Sequence, residues 1–312
     1  MEKKPRLLIV VGPTAVGKTR LGVELANRWN GEVISADSMQ IYRGMDIGTA
    51  KITKEEAQGI PHWGIDLVDP DQPFTVADYQ EYAEAKIREI DARGKLPILV
   101  GGTGLYVRSI TDYLDFTEAA VDLSYRQALQ KEAEEKGVTH LHDKLAHVDP
   151  VTAKRLHPND VKRVIRALEV YHLTGKPMSE AYEEAPEEPK YRMVMIGLTI
   201  QDRELLYERI NQRVDLMIDQ GLVNEVKRLL QKGYHKGLTS MQAIGYKEII
   251  SYIEGMMTLE EAIEEVKRGT RRFAKRQLSW FRREKRIHWF DVLQKKQDEI
   301  HKEITQMMAG IL

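Results

Sequence analysis

The chain has 312 residues, 42% of them hydrophobic and 30% charged, with a formal net charge of −1 and no cysteine. That length accommodates one large domain with an inserted subdomain, or two domains, and the composition is that of an ordinary soluble globular protein. The lack of cysteine excludes disulfides, thiolate catalysis and Cys-ligated zinc, and no apolar run is long enough to cross a bilayer, so a cytoplasmic protein without a membrane partner is expected.

Residues 7–11, LLIVV, are closed at once by Gly12-Pro13 and read as a buried strand rather than as part of a signal peptide. A helical pattern follows over 18–28. Between them stands GPTAVGKT, in which Gly12, Gly17, Lys18 and Thr19 keep the G-x-x-x-x-G-K-[ST] spacing in its strand–loop–helix context. Glycines let successive backbone N–H groups converge on an anion, and the helix N-terminus adds partial positive charge. Gly12, Pro13, Thr14, Ala15, Val16, Gly17, Lys18 and Thr19 are therefore the candidate phosphate-binding residues. Lys18 is expected at the outer phosphate, and the Thr19 hydroxyl at Mg²⁺. The motif specifies a di- or triphosphate without naming it.

A second strand, 32–36, opens onto Ser35, Asp37, Ser38, Gln40, Tyr42 and Arg43. An amphipathic helix over 76–94 stops at Gly94, where a left-handed residue ends helices. The third strand, 97–101, runs into Gly101, Gly102, Thr103 and Gly104. A P-loop ATPase ends a further strand in an acid that reaches the metal. Here that place is a glycine loop, and Asp37 is the strand-end acid of the region. No DDxxD-type diphosphate site is present either. Strands at 192–200 and 286–292 complete an alternation that predicts a parallel sheet wrapped by helices, an α/β fold of P-loop NTPase-like type.

Residues 113–190 break the alternation with two helical patterns, about 121–136 and 159–174, and a Pro/Glu-rich stretch ending at Pro189. They read as a helical insertion into a core made of 1–112 and 191–312. Asn159-Asp160 reads as the cap of the second pattern. From Thr199 to about 284 the chain is mostly helical. Ten basic residues and one acid lie between Lys267 and Arg286, which suggests a local polyanion site. Phe273, Trp280 and Phe281 recur there at helical spacing and read as core. The nine histidines form no ligand set, and His140-x-His142 is incidental.

Taken in order, GPTAVGKT, SADSMQIYRGMDIGTAK, PHWGIDLVDP, LVGGTGLY, LHPNDVKRVIRALEVYHLTGK, AIGYKE and AKRQLSWFR resemble the tRNA dimethylallyltransferase family over nearly the whole chain. The resemblance implies transfer of the dimethylallyl group of dimethylallyl diphosphate to N6 of the adenosine 3′ to the anticodon. It also implies Mg²⁺ and a helical insertion that clasps the anticodon stem-loop. Asp37 is then the base facing N6, Thr14 to Thr19 hold the diphosphate, and Thr103 approaches the leaving oxygen. Lys18 and Arg213 face the diphosphate charge. The implied tRNA contacts are Asp37, Ser38, Met39, Gln40 and Thr103, then Lys162, Arg163, Val164, Ile165 and Arg166. Further contacts are Gln242, Gly245, Tyr246 and Lys247, with Arg271, Arg272, Lys275, Arg276 and Gln277 on the basic run. The zinc finger of some members is absent from this cysteine-free chain. A monomer is expected.

Read without the resemblance, Asp37 is also a turn aspartate, Thr103 a residue of a flexible loop, Arg213 an exposed helix charge, and the basic run a solvated face. A P-loop small-molecule kinase with Asp37 activating a hydroxyl, and a nucleotide-gated RNA-binding protein, are the competing functions.

Overall fold

The computed structural model describes residues 4–113, 122–180 and 188–311. The chain divides into two compact units, Met1–Thr111 with Lys190–Leu312, and Asp112–Pro189.

The larger unit is built on one sheet of β1 (Arg6–Val11), β2 (Gly31–Ala36), β3 (His62–Trp63), β4 (Leu96–Gly101), β5 (Arg192–Thr199) and β6 (Ile287–Asp291). The strand order is β3-β2-β4-β1-β5-β6, and every neighbouring pair is parallel. This is the α/β, P-loop NTPase-like sheet that the alternation of elements predicts. Leu7 to Val11 are all 0% exposed, because helices cover both faces of the sheet. Burial on both sides is why β1 is an unbroken apolar run. Two residues carry no periodicity, which is why β3 has no signature of its own; it joins β2 through Val33–His62 and Ile34–Trp63.

The helices of the first half are α1 (Lys18–Arg28), α2 (Lys54–Ala57), α3 (Val76–Ala92) and α4 (Gly104–Thr111). Leu8 and Val10 pack with Leu21 and Leu25 of α1 on one face of the sheet, and Leu7, Ile9 and Val11 with Tyr79 and Ile87 of α3 on the other. Helix α3 starts on a capping box, with the Thr75 side chain accepting from the Asp78 N–H, and stops just before Gly94 at φ +74°.

The smaller unit contains α5 (Leu123–Lys136), α6 (Val138–Val148), α7 (Pro150–Arg155) and α8 (Val161–Thr174). Two of these, α6 and α7, go beyond the helical patterns expected from sequence. Asp149-Pro150 divides them: Asp149 is fully buried, caps α7 through the Thr152 N–H and accepts from the Ser179 N–H. The four helices enclose Leu129, Leu141, Leu145, Val164 and Leu168. Buried Glu169 on α8 receives both Nε and Nη2 of Arg126 at 2.8 Å, and Arg166. Asp160 holds the N-cap position of α8, as the Asn159-Asp160 reading expects. Its side chain makes no cap bond, because the carboxylate pairs with Arg163 at 3.0 Å. Most of the Pro/Glu-rich stretch lies outside the described residues.

The chain returns through β5 to α9 (Arg203–Asp219), α10 (Leu222–Gln231), α11 (Tyr246–Ile253), α12 (Leu259–Phe281) and α13 (Gln297–Met308). Helix α13 lies past the helical region expected to end near 284. Its Ile300, Ile304 and Met308 form one buried stripe against the β1 face that carries Leu8 and Val10. Ile41, Tyr42 and Met45 enter a separate core with Leu222, Val226, Tyr246 and Ile250 of α10 and α11, so the polar segment after β2 rests on packed helices. Among the described residues no helix is long and apolar enough to cross a membrane.

Candidate active site

Sheet register assembles the site. Val11 of β1 and Ala36 of β2 both pair with Gly101 of β4, so the three strands end in one row. Gly12, Asp37 and Gly102 therefore leave the sheet at the same level, at the carboxyl edge where open parallel sheets bind ligands.

The first wall is the phosphate loop. Gly12 has φ +143°, and a Cβ there would collide with the Leu198 carbonyl oxygen of β5. Ala15 at φ +67° and Gly17 at φ +92° give the loop the left-handed steps that turn N–H groups inward. The Val16 side chain is buried in the core beneath the loop, so only its backbone is available to a ligand. Lys18 Nζ donates to the Pro13 carbonyl at 2.6 Å. Thr19 follows it, exposed, in the first turn of α1.

The second wall joins the ends of β2 and β4. Thr103 N–H donates to the Ala36 carbonyl at 3.0 Å, and its Oγ1 accepts from the Ser38 N–H at 3.0 Å. Asp37 Oδ1 accepts from the Met39 N–H at 2.9 Å. Asp37 is thus a turn aspartate through one oxygen, and the turn holds the carboxylate in a set direction. The turn reading and the base reading of this residue are compatible.

Charge closes the site. Burial is the main cause that brings the Lys18 ammonium down to about 7, the Arg213 guanidinium lowers it further, and the Asp37 carboxylate acts in the opposite sense. Arg213, half-buried on α9, is itself held down by burial, with Asp37 opposing. Three ionisable groups from α1, α9 and the end of β2 therefore feel one another.

This arrangement has a pH consequence. Lys18 is depressed in the ligand-free protein, and a bound diphosphate stabilises its protonated form. Binding an organic diphosphate ester at about pH 8 should then take up close to one proton, and affinity should fall as pH rises above about 7. Calorimetry in buffers of different ionisation enthalpy measures the uptake. An unchanged proton count in Lys18→Met would assign it elsewhere.

The segment after Asp37 is held internally. Gln40 accepts from Ser35 Oγ at 2.8 Å and donates to the carbonyls of Thr49 and Ala50, so its amide is engaged within the loop. Lys51 Nζ bonds the Tyr42 carbonyl, Asp46 and Asp66. The buried Glu225 of α10 accepts from the N–H groups of Asp46, Ile47 and Gly48 and from the Tyr246 hydroxyl at 2.7 Å. Sequence reasoning missed Glu225. Its signal is an acid on the apolar stripe of LVNEVKRLL, beside Leu222, Val226 and Leu229.

Several expected RNA contacts have other placements. Val164 and Ile165 are core side chains of the smaller unit, with Val164 0% and Ile165 6% exposed. Tyr246 is fully buried on Glu225, and Gly245 is buried at the start of α11 with φ +95°. Arg271 bonds Asn211 at 2.7 Å, and Arg166 is committed to Glu169. Gln277 is buried between two loops of the site. Lys162, Arg163, Gln242, Lys247, Arg272, Lys275 and Arg276 do present exposed residues. Met39 is half-buried against the core under its loop. Among the aromatics of α12, Phe281 is core as expected, whereas Phe273 is half-buried and Trp280 is 41% exposed, its indole packed where Gly104 has no Cβ. Helical spacing alone does not separate a core aromatic from one that covers a glycine loop.

Among the described residues no group of three or more His, Cys, Asp or Glu is placed to hold a metal. A donor set of one exposed hydroxyl, Thr19, beside a phosphate cradle suits an ion carried largely by phosphate oxygens and water, as Mg²⁺ often is.

Comparison with known proteins gives the family. The family described as IPP transferase matches residues 40–284. A tRNA dimethylallyltransferase of Carboxydothermus hydrogenoformans is 56% identical over 92% of each chain. The crystal structure of a full-length tRNA isopentenylpyrophosphate transferase from Bacillus halodurans is 50% identical, with a TM-score of 0.74 and coverage of 98% of this chain and 96% of that one. A eukaryotic dimethylallyltransferase described as acting on tRNA has a TM-score of 0.84 at 30% identity, covering 97% of this chain and 79% of that one. A family model that matches residues 40–284 and relatives of this identity over nearly full length lead to one assignment: the chain belongs to the IPP transferase family, together with the tRNA dimethylallyltransferases.

Proposed function

We propose that the protein transfers the dimethylallyl group of dimethylallyl diphosphate to N6 of the adenosine 3′-adjacent to the anticodon of tRNA, releasing diphosphate. The observation that carries this reading is that the Asp37 carboxylate, directed by the Met39 N–H, lies within electrostatic reach of both Lys18 and Arg213. One side of the site suits a proton acceptor, the other a diphosphate.

The N6 amine is a weak nucleophile because its lone pair is delocalised into the ring. As the bond from N6 to the allylic carbon forms and the carbon–oxygen bond breaks, Asp37 accepts the N6 proton and diphosphate leaves with the bonding electron pair. Lys18, Arg213 and the loop N–H groups stabilise the charge growing on the leaving oxygens, with Thr103 beside them. Thr19 would hold Mg²⁺ together with the diphosphate, and the ion would neutralise part of the charge on the leaving group. Adenosine must leave the stacked anticodon loop to reach Asp37. Phosphate contacts are assigned to the exposed Lys162 and Arg163 of the smaller unit, and to Lys247, Arg272, Lys275 and Arg276.

The test is incubation of the protein with unmodified tRNA, Mg²⁺ and labelled dimethylallyl diphosphate, with ATP as the control donor. Label should appear on adenosine beside the anticodon, and ATP should be inert. Stoichiometric ADP release with a small-molecule acceptor would replace this reading with that of a P-loop kinase.

A further inference from the structure

Gln277 lies on α12, is 6% exposed, and joins two loops that the sheet itself leaves unconnected. Its Oε1 accepts from the Thr14 N–H of the phosphate loop at 2.9 Å, and its Nε2 donates to the Gly102 carbonyl at 3.0 Å. The orientation of the amide follows from chemistry. A backbone N–H only donates and a carbonyl only accepts, so a flipped amide would lose both bonds. The contact also requires glycine at 102, since a Cβ there would collide with Nε2.

The bridge continues beyond Gly102. Thr103 is its neighbour and holds Ser38 through Oγ1, while Asp37 precedes Ser38. A path of hydrogen bonds and single peptide steps thus runs from the diphosphate cradle, through Gln277, to the carboxylate. Pairing of β1 with β4 sets the level at which Gly12 and Gly102 leave the sheet but ends at Val11–Gly101, so the contact between Thr14 and Gly102 beyond the strand ends is made by Gln277. Other buried polar groups serve different ends. Glu225 anchors the loop over 46–48, and Glu169 ties together the smaller unit.

We propose that Gln277 is a positioning residue that sets the separation between the diphosphate cradle and the Thr103–Asp37 wall, rather than a tRNA contact. This rests on the transfer reading above for its effect on rate, and on geometry alone for its effect on the cradle. The variant to use is Gln277→Met, which keeps the length and packing of the side chain and removes both bonds.

Four quantities are measured: thermal midpoint, affinity for inorganic diphosphate, tRNA affinity with its salt dependence, and single-turnover transfer at saturating substrates. With both bonds lost, transfer should slow about 10- to 100-fold, the scale on which small misplacements of reacting groups act. Diphosphate affinity should fall about threefold or more, as for loss of a modest hydrogen bond. tRNA affinity and its salt slope should stay at parental values. In a Thr103→Ala background the Gln277→Met effect on transfer should shrink, because the two act as one unit.

Parental transfer and diphosphate affinity in Gln277→Met would overturn the proposal. So would a loss of tRNA affinity with transfer preserved at saturation, which would make Gln277 an RNA contact. Full additivity with Thr103→Ala would show that it does not act through that wall. A parental protein that binds diphosphate but transfers nothing to tRNA would overturn the functional reading alone, and the diphosphate affinity would still decide the bridge.

Discussion

Asp37→Asn should slow prenyl transfer by about 10²- to 10⁴-fold, the range for losing a positioned general base. The substitution keeps the shape of the side chain and an oxygen to accept from the Met39 N–H, so the turn that directs it should survive. Diphosphate binding should be close to parental and tRNA affinity little changed. Lys18→Ala should behave differently. In the proposed reaction Lys18 meets the diphosphate in both the ground and the transition state, so its loss should weaken the donor complex as well as slow transfer. Single-turnover assays on preformed complexes separate the two patterns. If Asp37→Asn transfers at the parental rate with both substrates saturating, the carboxylate is a turn residue and nothing more.

Glu225→Ala should be the most destabilising single change considered for the larger unit. Glu225 is 2% exposed and receives three backbone N–H groups and a phenol hydroxyl. Removing the acceptor leaves the buried Tyr246 hydroxyl and the half-buried N–H groups of Ile47 and Gly48 without this partner, and each buried donor left unsatisfied costs about 1–3 kcal/mol. Tyr246→Phe deletes one of the four bonds and should cost about 1–3 kcal/mol. The ordering should appear in denaturant midpoints, with Glu225→Ala also lowering transfer because the loop after Asp37 loses its anchor. A Glu225→Ala protein that unfolds at the parental midpoint would show that water satisfies the donors and that the loop does not depend on them.

The two substitutions probe parts of the molecule that differ in how far local sequence reaches. The phosphate loop is legible because everything that shapes it is local. A buried strand, glycines at 12 and 17 with positive φ, and a helix starting at Lys18 all lie within one short stretch. The Asp37 turn is local in the same sense, since its carboxylate bonds the N–H two residues on. The alternation of strands and helices is likewise carried by burial on each element's own face, and it determines the α/β class. Two-residue β3 escapes such reading, because it is too short to show a period.

Tertiary structure decides which of these local pieces meet. Asp37 and Thr103 face each other only because β2, β4 and β1 are neighbours in register, and Arg213 joins them only because α9 returns to the same edge. The same is true of function assigned to single polar residues. Gln277 belongs by sequence to a basic helix and by structure to the gap between two loops; Tyr246 belongs by sequence to an RNA-facing motif and by structure to Glu225. The reason is physical. Backbone conformation and helix or strand period follow from neighbours along the chain. The partner of a buried donor or acceptor is chosen by whatever distant segment is packed against it, since a buried polar group must be satisfied wherever the fold can supply a partner.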